Sequence, residues 1–205
     1  MLWLGSVADH MSTNLLQQLN HEMSTTVSNV RRSLVQINNG RGGVGAGTIW
    51  HAAGLIITNA HVAQRDTLNV SLSDERTLPA RLLAYDVERD LAALAVEAND
   101  LPTIELGNSK QLQPGHWVLA LGHPWGVPGA VTAGVVINTG APPEMPVRGE
   151  FIQVGLHLRP GHSGGPLVDI NGRLVGINTM IAGPDVGLAI PVHVVKAFLH
   201  ETLGS

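Results

Sequence analysis

A chain of 205 residues with 44% hydrophobic and 14% charged residues is sized and composed for one folded unit or two tightly fused ones, and not for a disordered chain. A net charge of −4 with only 12 Lys and Arg argues against a nucleic-acid surface, and no apolar run approaches the roughly 20 residues of a membrane span. The absence of cysteine excludes disulfides, thiolate catalysis and cysteine-ligated zinc.

Met1–Leu4 is too short for the apolar core of a signal peptide and no basic residue precedes it, so the sequence leaves the compartment open. Gly5–Met11 reads as appended or processed sequence rather than a folded element. From Asn14 to Val30, the apolar residues Leu15, Leu16, Leu19, Met23, Val27 and Val30 form a narrow stripe on one helix face, with Ser12, Thr13 or Asn14 as caps. That helix packs on its own domain or serves as an oligomerisation element.

After Arg32 the texture changes to short β-like runs separated by glycine: Ser33–Asn38, Gly47–His51, Gly54–Asn59, Leu68–Ser73, Ala80–Asp86 and Leu91–Val96. A looser stretch, Asn99–Gly115, carries Pro102 and Pro114 and reads as a connector. Strands resume at His116–Gly122, Val131–Thr139, Phe151–Val154, Gly165–Val168, Arg173–Met180 and Gly187–Ile190. Six strands on each side of one connector predict an all-β fold of two six-stranded antiparallel barrels, 33–98 and 115–191. Pro191 then opens a helix over Val192–Leu203, whose Val192, Val195, Leu199 and Leu203 share one face. Residues 1–32 form an extension and 33–205 one domain under this reading.

Three short segments carry chemistry. In Gly161-His162-Ser163-Gly164-Gly165, glycines flanking a serine permit a tight turn that directs Ser163 Oγ outward and lets the Gly161 and Ser163 amides converge, where the oxyanion of an acyl intermediate would sit. His61 follows the strand Gly54–Asn59, at a position from which a histidine reaches a cleft as general base. Asp90 opens the apolar strand Leu91–Val96, where an acid beside a histidine would orient the ring. Alone, each has an ordinary structural reading: a Gly-rich turn, a packed histidine, a surface turn acid. Together they fall in the order His, Asp, Ser, with two in the first half and one in the second, which suits a site between two barrels.

With GLIITNAHV, ERDLAALAV, LALGHPWGVPGAVTAGVV, GHSGGPLVDINGRLVGINT and GLAIP in that order, the chain resembles the HtrA (Deg) family of trypsin-like, chymotrypsin-fold serine proteases from Ser33 to about Phe198. The resemblance implies a serine endopeptidase acting on extended or unfolded protein, with Ser163 as nucleophile, His61 as base, Asp90 as its orienting acid and Gly161, His162 and Ser163 around the oxyanion. It implies that Ile177–Met180 pairs with the substrate backbone. It also implies an S1 pocket lined by Leu156–Leu158, Asn178–Met180 and Gly187–Ala189, including His157, Leu158, Ile177, Asn178, Thr179, Met180 and Leu188 among the substrate-binding residues. These are mostly apolar, which favours a small to medium aliphatic P1, whereas a protonated His157 would favour an acidic one. Trimers through the N-terminal segment and a periplasmic or other extracytoplasmic location are further implications of the resemblance.

Where the family usually carries Asn before the nucleophile, this chain has His162. The imidazole there is expected to perturb the loop or the pH profile, and it cannot supply the acid that pairs with a newly cut N-terminus. The chain stops after its last helix, so it is read as a relative without a PDZ domain or cut before one. The loops Thr139–Glu150 and Ile181–Val186 are Gly/Pro-rich candidates for switching between ordered and disordered forms.

The competing readings are a latent or inactive homologue that binds peptides, a metalloprotein and an α/β-hydrolase. The ten histidines show no tight metal-ligand spacing, so no metal or cofactor is expected. The hydrolase fold places its histidine after the serine, the reverse of the order here.

Overall fold

The computed structural model describes residues 5–38, 44–64, 68–141, 149–183 and 185–204, with backbone alone for 5–13 and Val44. Residues 142–148 of the loop Thr139–Glu150, and Pro184 of the loop Ile181–Val186, lie outside the described residues.

The order is α1 (Gly5–Arg31), β1 (Leu34–Asn38), β2 (Val44–His51), β3 (Leu55–Thr58), β4 (Leu68–Ser71), β5 (Thr77–Asp86), β6 (Leu91–Val96), β7 (Trp117–Gly122), β8 (Ala130–Gly140), β9 (Phe151–Gly155), β10 (Pro166–Asp169), β11 (Leu174–Gly183), β12 (Val186–Pro191) and α2 (Val192–Leu203). All strand pairs within the sheets are antiparallel, and they close two barrels, β1-β2-β3-β6-β5-β4 and β10-β11-β12-β9-β8-β7. Bulges in β5 between Leu82 and Ala84, and in β8 between Val136 and Asn138, add the local bend that closing a short sheet demands.

Continuous apolar strands follow from burial on both faces. Along β6, Ala92, Leu94 and Val96 point into the first barrel, while Leu91 and Ala93 belong to a second cluster that spans both barrels. Strand β7 repeats the pattern, with Val118 and Ala120 inside the second barrel and Leu119 and Leu121 in the shared cluster. That shared core also takes Ala46 and Ile57 from the first barrel, Ile177 and Ile190 from the second, and Val192, Val195, Phe198 and Leu199 from α2. Each fully buried side chain of this size contributes about 1.5–3 kcal/mol, so the shared cluster fixes the two barrels against each other. Pro191 lies extended ahead of α2, and Gly204, left-handed at φ +69°, ends it by donating its amide to the His200 carbonyl.

The N-terminal helix is longer than its sequence suggests. Gly5–Met11 is part of a 27-residue helix rather than unfolded sequence, because no Gly or Pro interrupts the stretch from Ser6 to Arg31. Its last turns pack on the body through Met23, Val27 and the buried Val30, whereas Leu15, Leu16 and Leu19 stay exposed. No helix among the described residues is long and apolar enough to cross a membrane.

Candidate active site

Register places the histidine beside the acid. Strands β3 and β6 are antiparallel, with Thr58 opposite Ala92, so the end of β3 adjoins the start of β6. Beyond β3 the chain folds into a tight turn in which the Val62 and Ala63 amides donate to the Asn59 carbonyl, and His61 sits on that turn. Its Nδ1 lies 2.9 Å from both carboxylate oxygens of Asp90, and its amide donates to Asp90 Oδ1 at 3.0 Å. Asn59 Nδ2 donates to the Asp90 carbonyl at 3.0 Å. Asp90 itself is left-handed at φ +54°, a strained conformation for a non-glycine residue that these bonds hold in place.

The second barrel contributes a further bond to the carboxylate. The Thr179 hydroxyl donates to Asp90 Oδ2 at 2.6 Å across the barrel interface. Burial opposes ionisation of Asp90, but the hydrogen bonds from His61 and Thr179 outweigh it and hold the carboxyl below its ordinary range. The acid is therefore an anion at neutral pH, suited to orienting His61 with Nδ1–H toward it and Nε2 outward.

Ser163 stands on a loop built by backbone contacts. Pro160 and Gly161 are the central residues of a turn closed by the His162 amide on the Arg159 carbonyl at 3.0 Å, with Gly161 at φ +105°. Pro followed by a positive-φ glycine is the pattern of a type II turn. Beyond Ser163, the Gly164 amide donates to the Asn178 carbonyl, and the Ala46 amide of the first barrel donates to the Ser163 carbonyl, both at 2.9 Å. Gly164, at φ +85°, has no room for a side chain, since a Cβ there would meet the Ala46 carbonyl and the Thr58 hydroxyl. Among the described residues, the amides of Gly161 and Ser163 have no hydrogen-bond acceptor.

The serine hydroxyl is not hydrogen-bonded to His61. It donates to the Thr179 carbonyl at 2.9 Å, so the histidine–aspartate half is assembled while Ser163 is turned toward β11.

The remaining sequence-predicted residues divide. Leu158 and Leu188 are buried, and a Cβ on Gly187 would lie 2.9 Å from Leu158 Cδ1 and 3.3 Å from Leu156 Cδ1, so these leucines close over Gly187. His157 is on the surface rather than at a pocket floor, its Nε2 paired with the exposed Asp185 at 2.6 Å. Ile177 and Asn178 do not have the free backbone expected of a substrate-pairing strand. Ile177 is already flanked by Pro166 of β10 and Ile190 of β12, and Asn178 exchanges both backbone bonds with Gly164 and Gly165. A strand has only two edges, so the available stretch starts at Thr179. From there to Gly183, β11 keeps β12 on one side and has no strand on the other among the described residues. Met180 lies on that stretch. Sequence reasoning missed the bond of Thr179 to Asp90 and the Asp185 partner of His157. Neither has a local signal, because the first joins residues 89 positions apart.

Two closed barrels sharing one core, with a histidine–aspartate pair on one and a glycine-framed serine on the other, define the chymotrypsin-like fold. The chain belongs to the trypsin-like peptidase domain family, which matches residues 45–177. Among its relatives, a probable periplasmic DegP-like serine endoprotease of Pseudomonas fulva (strain 12-X) is 47% identical over 159 residues, covering 74% of this chain and 33% of the relative. The mitochondrial serine protease HTRA2 of Drosophila willistoni is 40% identical over 164 residues, covering 77% of this chain and 38% of the relative. Among solved structures, the HtrA-type protease AlgW with tripeptide superimposes with a TM-score of 0.82 at 34% identity, over 87% of this chain and 62% of that one. The chain thus spans about a third of the length of these curated relatives.

Proposed function

We propose that this chain is a serine endopeptidase in which Ser163, His61 and Asp90 cleave extended protein segments through an acyl-enzyme. The supporting observation is the His61–Asp90 pair joined through Thr179 to a serine loop with two unbonded amides. Ser163 Oγ attacks the scissile carbonyl while His61 Nε2 takes its proton. The carbonyl oxygen becomes an anion held by the Gly161 and Ser163 amides, and His61 returns the proton to the leaving amine. Water then repeats the sequence on the ester and regenerates Ser163.

Substrate binding completes the site under this reading. A peptide laid along Thr179–Gly183 presents its P1 amide to the Thr179 carbonyl, the acceptor that Ser163 Oγ uses in the free protein. Displaced from that acceptor, the hydroxyl turns to His61. The apolar Leu156 and Leu158 over Gly187, with buried Leu188 beside it, favour a small to medium aliphatic P1. The exposed Leu15, Leu16 and Leu19 of α1 suit the N-terminal segment to homo-oligomer contacts, with a trimer the form that the HtrA resemblance implies. A periplasmic location follows the DegP-like relatives. Residues 1–32 act as an extension to a protease domain at 33–205.

A fluorophosphonate probe tests the nucleophile, with casein cleavage as the assay of turnover. Labelling and cleavage lost together in Ser163→Ala support the proposal; an unlabelled, correctly folded wild type overturns it. The bond from Ser163 to Thr179 favours a second reading, a latent peptide-binding form. Peptide binding without cleavage is its signature.

A further inference from the structure

The residue ahead of the nucleophile has no part in the chemistry above, yet it is 3% exposed and buried directly behind the oxyanion loop. His162 Nδ1 lies 3.1 Å from the Arg159 amide, which donates to it, and 3.1 Å from the Arg159 carbonyl. The His162 backbone amide bonds that same carbonyl. One ring nitrogen therefore lies within reach of both polar groups of the residue that opens the Arg159–His162 turn, and bonds one or the other according to its tautomer. The ring has little room to shift: a Cβ on Gly122 would lie 2.6 Å from His162 Cα and 3.2 Å from its Cδ2. On the same side the His123 amide donates to the Gly161 carbonyl at 2.8 Å, which points that peptide's oxygen away from the site.

We propose that the neutral His162 imidazole is a positioning residue, holding the Arg159–Ser163 turn in the form that offers the Gly161 and Ser163 amides to the oxyanion. This rests on the reading of Ser163 as nucleophile. The neutral ring uses its Nδ1 either to accept the Arg159 N–H or to donate to the Arg159 carbonyl. A protonated ring keeps only the second bond and leaves a charged Nε2–H with no partner among the described residues. The groups facing the ring offer no compensation. Arg159 is cationic, and His123 from the end of β7 is a second buried histidine with an unpartnered Nε2. His123 in turn lines a cleft with Arg31 and Glu75. Burial, then the charge of Arg159, pushes His162 below its ordinary range against an opposing bond to the Arg159 carbonyl. The loop is thus intact at neutral pH. Its support is fully present above the unfolded histidine value of about 6.5 and is lost as the pH falls.

The test compares wild type, His162→Asn and His162→Ala in the full chain, following kcat and KM on a peptide substrate from acid to pH 8.5. His162→Ala loses about 10²-fold in kcat with little change in KM, the size of one oxyanion donor withdrawn. His162→Asn can make both bonds to Arg159 without titrating, so it restores kcat near pH 8. Its acid limb in log kcat/KM lacks the proton that His162 contributes and falls with a slope of one, where wild type falls with two. An unchanged kcat in His162→Ala overturns the proposal, as does a two-proton limb in His162→Asn. Should His162→Ala fail to fold by circular dichroism, the asparagine profile decides alone. Failure of wild type to take a fluorophosphonate at Ser163 would instead sink the functional reading beneath it.

Discussion

Replacing Thr179 by valine removes one hydroxyl and keeps the shape of a β-branched strand residue, so it isolates the bond across the barrel interface. Thr179 is 4% exposed and the Asp90 side chain 19%, and the bond between them is 2.6 Å long. A hydrogen bond to a charged group contributes about 1.5–3 kcal/mol, more than a neutral pair, because the carboxylate left behind is poorly solvated. Thr179→Val is therefore expected to lose about 1.5–3 kcal/mol of stability at pH 7.5, or roughly 3–12 °C in Tm for a chain of this size. The sign of the pH dependence follows from the depressed Asp90 carboxyl. Its stabilisation is present above the unfolded aspartate value near 3.9 and is lost as the pH falls. The gap between wild type and variant must contract below about pH 4 as the carboxyl protonates. Urea unfolding of both proteins at a series of pH values measures this directly. A difference under about 0.5 kcal/mol at pH 7.5, or one that does not contract in acid, would refute the argument that this bond holds the anion.

Gly164→Ala forces a side chain into a left-handed position against the Ala46 carbonyl and the Thr58 hydroxyl; it should cost about 3 kcal/mol or more and abolish fluorophosphonate labelling, checked by thermal melts and gel fluorescence. Leu158→Ala removes the side chain packed on Gly187, so cleavage-site mapping on casein should shift from small aliphatic P1 residues toward larger ones by about tenfold or more. His157→Ala and Asp185→Asn break an exposed pair, so each should change stability by no more than about 0.5 kcal/mol and leave P1 preference unchanged; a gain or loss of cleavage after acidic residues would show that His157 reaches the pocket. Cleavage should be insensitive to EDTA, as no group of three or more potential ligands lies together among the described residues.

What the sequence discloses is set by how local each signal is. Leu91–Val96 is found to the residue because an apolar run buried on both faces needs no alternation to be recognised, and α2 because Pro191 opens it and Val192, Val195, Leu199 and Leu203 share one face. The start of β5 is missed: Thr77-Leu78-Pro79 contains a proline, which argues against a strand until Pro79 is seen exposed opposite Asn69. The start of α1 is missed although Val7, Ala8 and Met11 fall at helical spacing ahead of Leu15 and nothing there breaks a helix, because the stretch reads as appended sequence unless its periodicity is weighed. At the site, glycines and a serine in one short motif are legible because the turn that needs them is itself short. The ends of β3 and β6 that join His61 to Asp90 are visible only as two strand termini.

The elements that tune the site escape the sequence for one common reason. Thr179 carries two bonds, its hydroxyl to Asp90 and its carbonyl to the Ser163 hydroxyl, and it sits where the β11–β12 register shifts between Asn178 and Met180. A bulge re-aims backbone groups without any change in residue type, so no composition or spacing rule reports it. That one residue, Thr179, connects the acid on one barrel to the serine on the other. The strand proposed to receive substrate is then also the one whose Thr179 carbonyl holds the Ser163 hydroxyl. Binding and activation are then one event in the proposed mechanism: a peptide amide that takes the Thr179 carbonyl removes the restraint on Ser163, while the Thr179 hydroxyl keeps Asp90 charged behind His61.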